Sequence, residues 1–206
     1  MSPRRLPPLL PFVLALAACR PSGTVVVLTS TGADGRPVAV GQMPLVILPY
    51  DRDSVADALT AAAPARPDTM GLVRLFDSLR TAYRRTLTTT GADQVAARGA
   101  YDRLRQGLAP TLDSLRQVQQ AWRARAYGGY DTLTLALIHR LTRDPFTDTT
   151  DAQGMANVRP RMSGPWWVTV STWDANDPYS EWYWNVPLAG DTLRLSPTNA
   201  RRRTRF

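Results

Sequence analysis

Two stretches near the carboxy terminus decide how this chain is built: Trp166-Trp167-Val168-Thr169-Val170-Ser171-Thr172-Trp173 and Glu181-Trp182-Tyr183-Trp184-Asn185-Val186. Both are β-branched and aromatic, and successive side chains of a strand point to opposite faces. Alternation therefore puts Trp166, Val168 and Val170 on one face, with Trp182, Trp184 and Val186 beside them as the natural core pair. The other face carries Trp167, Thr169, Ser171 and Trp173 on one strand and Glu181, Tyr183 and Asn185 on the next. Flat rings beside a carboxylate and an amide suit a sugar, because the rings stack on it and the polar groups fix its hydroxyls. The same face also suits a simpler use, as the surface on which helices bury their apolar stripes. The intervening Asp174-Ala175-Asn176-Asp177-Pro178 reads as a loop.

Working outward, Thr24 to Thr29 reads as a buried strand, Asp34-Gly35-Arg36-Pro37 as a turn, and Leu45 to Leu48 as a second strand stopped by Pro49. The middle of the chain is helical. Ser54 to Ala63 is a short alanine-rich helix ended by Pro64. Asp68 caps a helix with apolar positions Leu72, Phe76, Leu79, Tyr83 and Leu87. A third pattern runs from Asp93 through Ala97, Tyr101, Leu104, Leu108, Leu112, Leu115, Val118 and Trp122, and Pro110 predicts a kink or break in it. Gly128-Gly129 ends it, and Leu133 to Leu141 follows as a helix capped by Asp131. The helical arginines mostly fall off the apolar stripes, as a solvated face requires. Thr150-Asp151-Ala152-Gln153-Gly154 is a turn, and Leu193-Arg194-Leu195 closes the sheet. The expected class is α+β: a small antiparallel β-sandwich from residues 24–52 and 144–196, with a large hairpin-like helical insertion at 53–143. Residues 197–206 are expected to form a frayed basic tail.

The strand Thr24–Thr29, Asp34-Gly35-Arg36-Pro37-Val38, Thr150-Asp151-Ala152-Gln153-Gly154 and Gly164-Pro165-Trp166-Trp167-Val168 together resemble the carboxypeptidase regulatory-like, transthyretin-like β-sandwich. The resemblance spans roughly residues 24–50 and 144–196. This chain departs from that family in the extra residues Val40 to Pro44 and in about ninety residues of helix where the family has a short connection. The resemblance implies an accessory or binding module rather than a catalyst.

At the other end, Arg4 and Arg5 precede the apolar stretch Leu9 to Ala18, which is about half the length of a membrane-crossing helix. Leu16-Ala17-Ala18-Cys19 follows, so residues 1–18 read as a secretory signal peptide. The motif resembles the lipobox of bacterial lipoproteins. That resemblance implies lipidation of the Cys19 thiol, cleavage before it, acylation of the new amino group and anchorage in a membrane of the cell envelope. Arg20 stands where an Asp favours inner-membrane retention, which points to the outer membrane. Residues 19–23 form the tether, and its extended residues reach about 14 Å at most.

All 25 basic residues are arginine, and four of them (Arg201, Arg202, Arg203, Arg205) lie in the last six positions. The body is nearly neutral, with no basic stripe for nucleic acid. The tail is read either as a solvated terminus with no partner or as a salt-sensitive contact with anionic headgroups or envelope polymers. Without lysine there is no P-loop lysine, Schiff base or Ser-Lys pair, and one cysteine with one histidine excludes a His/Cys metal cluster. Asp174, Asn176, Asp177 and Glu181 offer oxygen ligands in sequence order, but their spacing is not that of a calcium-binding EF-hand. No metal or cofactor is expected. The chain reads as an envelope lipoprotein acting by binding or scaffolding, with the membrane and an envelope polysaccharide or protein as partners. A carbohydrate-binding module using Trp167, Trp173, Tyr183, Glu181 and Asn185 is the first alternative, and a hydrolase is the second. Sugar binding requires Trp167 and Tyr183 to be exposed. Hydrolysis requires His139, or Glu181 with Asp174 or Asp177, in a cleft.

Overall fold

A computed structural model describes residues 23–32, 35–68, 70–174 and 176–204. The leader, the lipobox and Cys19 lie outside the described residues. The elements run β1 (Thr24–Thr31), β2 (Pro37–Ala39), β3 (Pro44–Leu48), α1 (Arg52–Ala62), α2 (Met70–Thr88), α3 (Gly91–Ala126), α4 (Tyr130–Leu141), β4 (Phe146–Thr149), β5 (Met155–Val158), β6 (Trp167–Asp174), β7 (Asp177–Pro187), β8 (Thr192–Leu195) and β9 (Arg201–Thr204). This is the α+β architecture with a helical insertion.

One sheet has the order β2-β1-β5 with β8 also on β1, and the other has the order β4-β3-β6-β7-β9. All pairs are antiparallel except β1 with β8, which is parallel. Between the sheets lies a core of Val26, Leu28, Leu45, Ile47, Val158, Trp166, Val168, Val170, Trp184 and Leu195, with Trp182 and Val186 packed against it. Alternation thus assigned the core face of β6 and β7 correctly. The Asp151–Gly154 turn is closed by the Gly154 N–H on the Asp151 carbonyl at 3.0 Å, and the Asp151 carboxylate accepts from the N–H groups of Gln153 and Met155. Gly154 has φ +74°, and a Cβ there would meet the Leu28 carbonyl oxygen at 2.5 Å. Only glycine fits, because the position is left-handed and touches β1.

The helices α2 and α3 form an arm with its own core of Leu72, Phe76, Leu79 and Leu112. Its long helix spans 36 residues, about 54 Å at 1.5 Å per residue. It runs through Pro110 without a break. Leu108 and Leu112, on either side, both pack into the α2–α3 core, and that burial holds the turn whose backbone bond proline removes.

Three expectations need correction. Asp131 does not cap α4: Gly129 holds that position and Asp131 lies in the first turn. The Asp174–Pro178 loop is shorter than expected, because β7 already begins at Asp177, in register with Asp174. The described part of the tail, residues 197–204, is not frayed. The Trp184 indole N–H reaches the Ser196 carbonyl and the Asn199 side chain, and the chain then returns as β9, with Thr204, Arg203, Arg202 and Arg201 opposite Ser180, Glu181, Trp182 and Tyr183. Pairing with the free edge of β7 and with buried carboxylates replaces the apolar pattern that this segment lacks.

Candidate functional site

The outer face of β6 and β7 is where sequence reasoning placed a site, and α1 partly covers it. Asp51 caps α1, accepting from the Asp53 N–H at 2.9 Å and the Ser54 hydroxyl at 2.7 Å. Its Oδ1 also accepts from the Asn185 amide at 2.6 Å, while the Asn185 carbonyl oxygen accepts from Thr169 at 2.9 Å. Burial pushes the Asp51 carboxyl up, but the hydrogen bonds from Ser54 and Asn185 outweigh it and hold the group below the usual carboxylate range.

Tyr183 is only 3% exposed. Its hydroxyl donates to Asp53 Oδ1 at 3.0 Å, and the Arg203 guanidinium lies 3.2 Å from the centre of its ring. Burial, then the Asp53 charge and hydrogen bond, push its pKa up to about 12. Asp53 itself is held by Arg201 at 2.8 Å and Arg203 at 3.4 Å. A flat, open platform of Trp167, Trp173, Tyr183, Glu181 and Asn185 is therefore not what the chain presents. Tyr183 and Asn185 are taken up by α1 and β9, Trp167 and Glu181 are half-buried, and Trp173 is 69% exposed opposite Glu181. The helices needed a surface, and the start of α1 took it.

What remains open is a cleft of about 510 Å³ between α1, the end of α3, α4 and β7, whose polar lining includes Arg52, Arg123, Arg203, Tyr127, Tyr130 and Asp131. A smaller hollow of about 320 Å³ continues over Thr169, Ser171 and Glu181, sharing Arg52, Tyr183 and Arg203. Tyr127 is fixed by a 3.0 Å hydrogen bond with Thr60. Tyr130 is bonded to Tyr50, whose pKa burial and that bond push up to about 12. Arg52, Arg123 and Arg203 stand against Asp53 and Asp131 in this lining, so the cleft carries a small positive excess and favours an anionic or polyhydroxylated ligand. Sequence reasoning missed Arg52, Arg123, Arg203, Tyr127 and Tyr130. They come from three separate stretches, at 52, 123–130 and 203, and no local motif joins the three.

Two of the carboxylates considered for metal or hydrolytic chemistry, Asp174 and Asp177, are otherwise engaged. Asp177 is fully buried. It accepts from Arg80, from Arg202 at 2.9 Å, from Ser180 at 2.8 Å and from the Tyr179 N–H at 3.0 Å. Arg202 also bridges to Asp174 at 2.9 Å. Burial pushes the Asp177 carboxyl up, yet the bonds from Ser180, the Tyr179 N–H and Arg80 hold it below the ordinary range, so it keeps no proton to donate. His139 is exposed in the last turn of α4. Among the described residues no group of three or more His, Cys, Asp or Glu is placed to hold a metal ion, and no helix is long and apolar enough to cross a membrane. No protein-family model, curated protein or solved structure matches this chain.

Proposed function

We propose that this chain is an envelope lipoprotein, anchored through lipid on Cys19, whose sandwich and helical arm act as a binding or scaffolding module without a catalytic step. The observation that carries the reading is Leu16-Ala17-Ala18-Cys19 after a basic and apolar leader, only five positions before β1 begins at Thr24. Also in its support, the two turns that prompted the transthyretin-like resemblance fall between strands, with Gly35 at φ +80° and Gly154 at φ +74°. The anchor is tested by Cys19→Ser in a bacterial host, followed by membrane fractionation and mass measurement. The variant should leave the membrane fraction or keep its leader. Processing and membrane association like the parent's would overturn the reading. A second reading, binding of an envelope polysaccharide, is favoured by the cleft of Arg52, Arg123, Arg203, Tyr127 and Tyr130. Its arginines suit an acidic polymer better than a neutral sugar.

A further inference from the structure

The end of the sandwich where the tether enters has a surface of its own. Gly23 packs so closely that a Cβ there would meet Asn157 Oδ1 at 2.2 Å and Arg159 Cγ at 2.5 Å. Thr24 is in register with Val158, the last residue of β5, and the Val25 N–H donates to the Asp191 carbonyl at 2.9 Å. Arg159 therefore lies against the point at which the chain leaves the domain. Beside it is a cavity of about 450 Å³ lined by Asp144, Phe146, Arg159, Arg161, Met162 and Trp166 among others. Its wall is fixed. The Trp166 indole donates to the Met162 carbonyl at 2.9 Å, and Phe146 packs edge-on against Trp166 at 5.6 Å. Arg143 lies 5.6 Å over the Trp166 ring and donates to the Pro165 carbonyl at 3.0 Å. Arg159 and Arg161 are exposed, and Met162 is 49% exposed.

We infer that this end is a docking surface for anionic lipid headgroups, with Arg159 and Arg161 holding phosphate at the mouth of the cavity and Met162 entering the interface. The inference rests on the lipid-anchor reading, which gives the surface its occupant. The extended tether spans about 14 Å at most, so the end bearing Gly23 faces the bilayer that holds Cys19. Guanidinium groups match phosphate oxygens in paired hydrogen bonds. The charges at this end are Arg143, Arg159 and Arg161 against Asp144 and Asp191, and because Arg143 is buried over Trp166 the headgroup contact falls to the exposed Arg159 and Arg161. The contact considered for the tail moves here for a structural reason. Arg201, Arg202 and Arg203 are paired with Asp53, Asp174 and Asp177. Asp174 is beside Asn176, whose amide reaches the Gly32 carbonyl beyond the opposite end of β1, and an eight-residue strand spans roughly 26 Å.

The test uses the chain from Ser22 onward, which contains every described residue and lacks Cys19. Its binding is measured to phosphatidylcholine vesicles with and without phosphatidylglycerol, at low and high salt. It should bind the phosphatidylglycerol vesicles and weaken as salt rises. The double variant R159Q/R161Q should lose about fivefold per arginine, roughly 25-fold together. The charge-matched R98Q/R103Q pair on the helical arm should stay within about twofold, because it is remote from the tether. Met162→Asp changes one half-exposed side chain and should also weaken binding, which gives a second readout if the double variant does not fold. No binding by the parent chain, undiminished binding by R159Q/R161Q, or an equal loss in R98Q/R103Q would each overturn the site. Absent vesicle binding alongside membrane release by Cys19→Ser would remove the docking surface and leave the anchor. Vesicle binding alongside an unaffected Cys19→Ser variant would do the reverse.

Discussion

Replacing Asp177 with asparagine tests what fastens the helical arm to the sandwich. The carboxylate is fully buried and takes Arg80 from α2 and Arg202 from β9, as well as Ser180 and the Tyr179 N–H. Asparagine keeps the shape but turns an amide N–H₂ towards one of the two guanidiniums. Removing one partner of a buried ion pair costs about 3–5 kcal/mol. Arg80 keeps Asp77 and Arg202 keeps Asp174, and their side chains are 17% and 37% exposed, so both retain some compensation. The lower figure, about 3 kcal/mol, is therefore expected. For a domain of this size that lowers Tm by roughly 6–12 °C. The control is Asp77→Asn, whose side chain is 59% exposed and whose loss costs about 1 kcal/mol or less. Circular dichroism melts and urea titrations of the chain from Ser22 measure both. The acid limb gives a second check. The folded carboxyl lies below its ordinary value, so its contribution is complete above the unfolded value of about 3.9 and disappears as pH falls through the lower folded value. D177N should therefore lose less stability than the parent below about pH 4. A D177N variant within about 1 kcal/mol of the parent, or no worse than D77N, would refute the idea that this ion cluster anchors the arm.

Deleting residues 201–206 removes β9 and leaves Asp53 buried without Arg201 and Arg203. A loss of about 3 kcal/mol in urea unfolding is expected, and an unchanged midpoint would mean that β9 contributes nothing to the fold. Tyr50 and Tyr183 are pushed up to about 12, and burial and its hydrogen bond to Tyr101 raise Tyr179 further. At about pH 11 the folded chain should therefore show less tyrosinate absorbance than the same chain in denaturant, where tyrosines ionise near 10. The stability linked to these groups is full below about pH 10 and falls as pH rises through their folded values. Identical titrations in the two states would contradict their burial.

The tryptophan strands and the helical stripes were legible because each is a short repeat whose period declares its geometry. Val168, Val170 and Trp184 went to the core by alternation alone, and Leu72, Phe76 and Leu79 by spacing. What escaped was set by partners far away in the chain. The run Arg201 to Thr204 has no strand pattern and became one because the edge of β7 and the carboxylates of Asp53, Asp174 and Asp177 were waiting for it. Tyr183 looked like a sugar platform because nothing near it in sequence shows that Asp53, 130 positions away, would take its hydroxyl. The cleft was hidden for the same reason: Arg52, Tyr127 and Arg203 share a wall without sharing a segment.

The strand β1 has consequences for when this protein can fold. It is bonded on one side to β2 and β5 and on the other, in parallel, to β8, and Thr24 donates to the Gly190 carbonyl across 166 positions. Neither sheet can close until nearly the whole chain has been made. Contacts of such separation carry a high loop-closure cost and form slowly. The arm α2–α3 is the exception, since its contacts are local and can form as the chain emerges. A nascent molecule would therefore present a helical hairpin flanked by two unpaired β-rich ends, which are a substrate for holding chaperones and a hazard at high concentration. For the export that the proposed lipoprotein reading entails, the same delay would keep most of the chain threadable during synthesis.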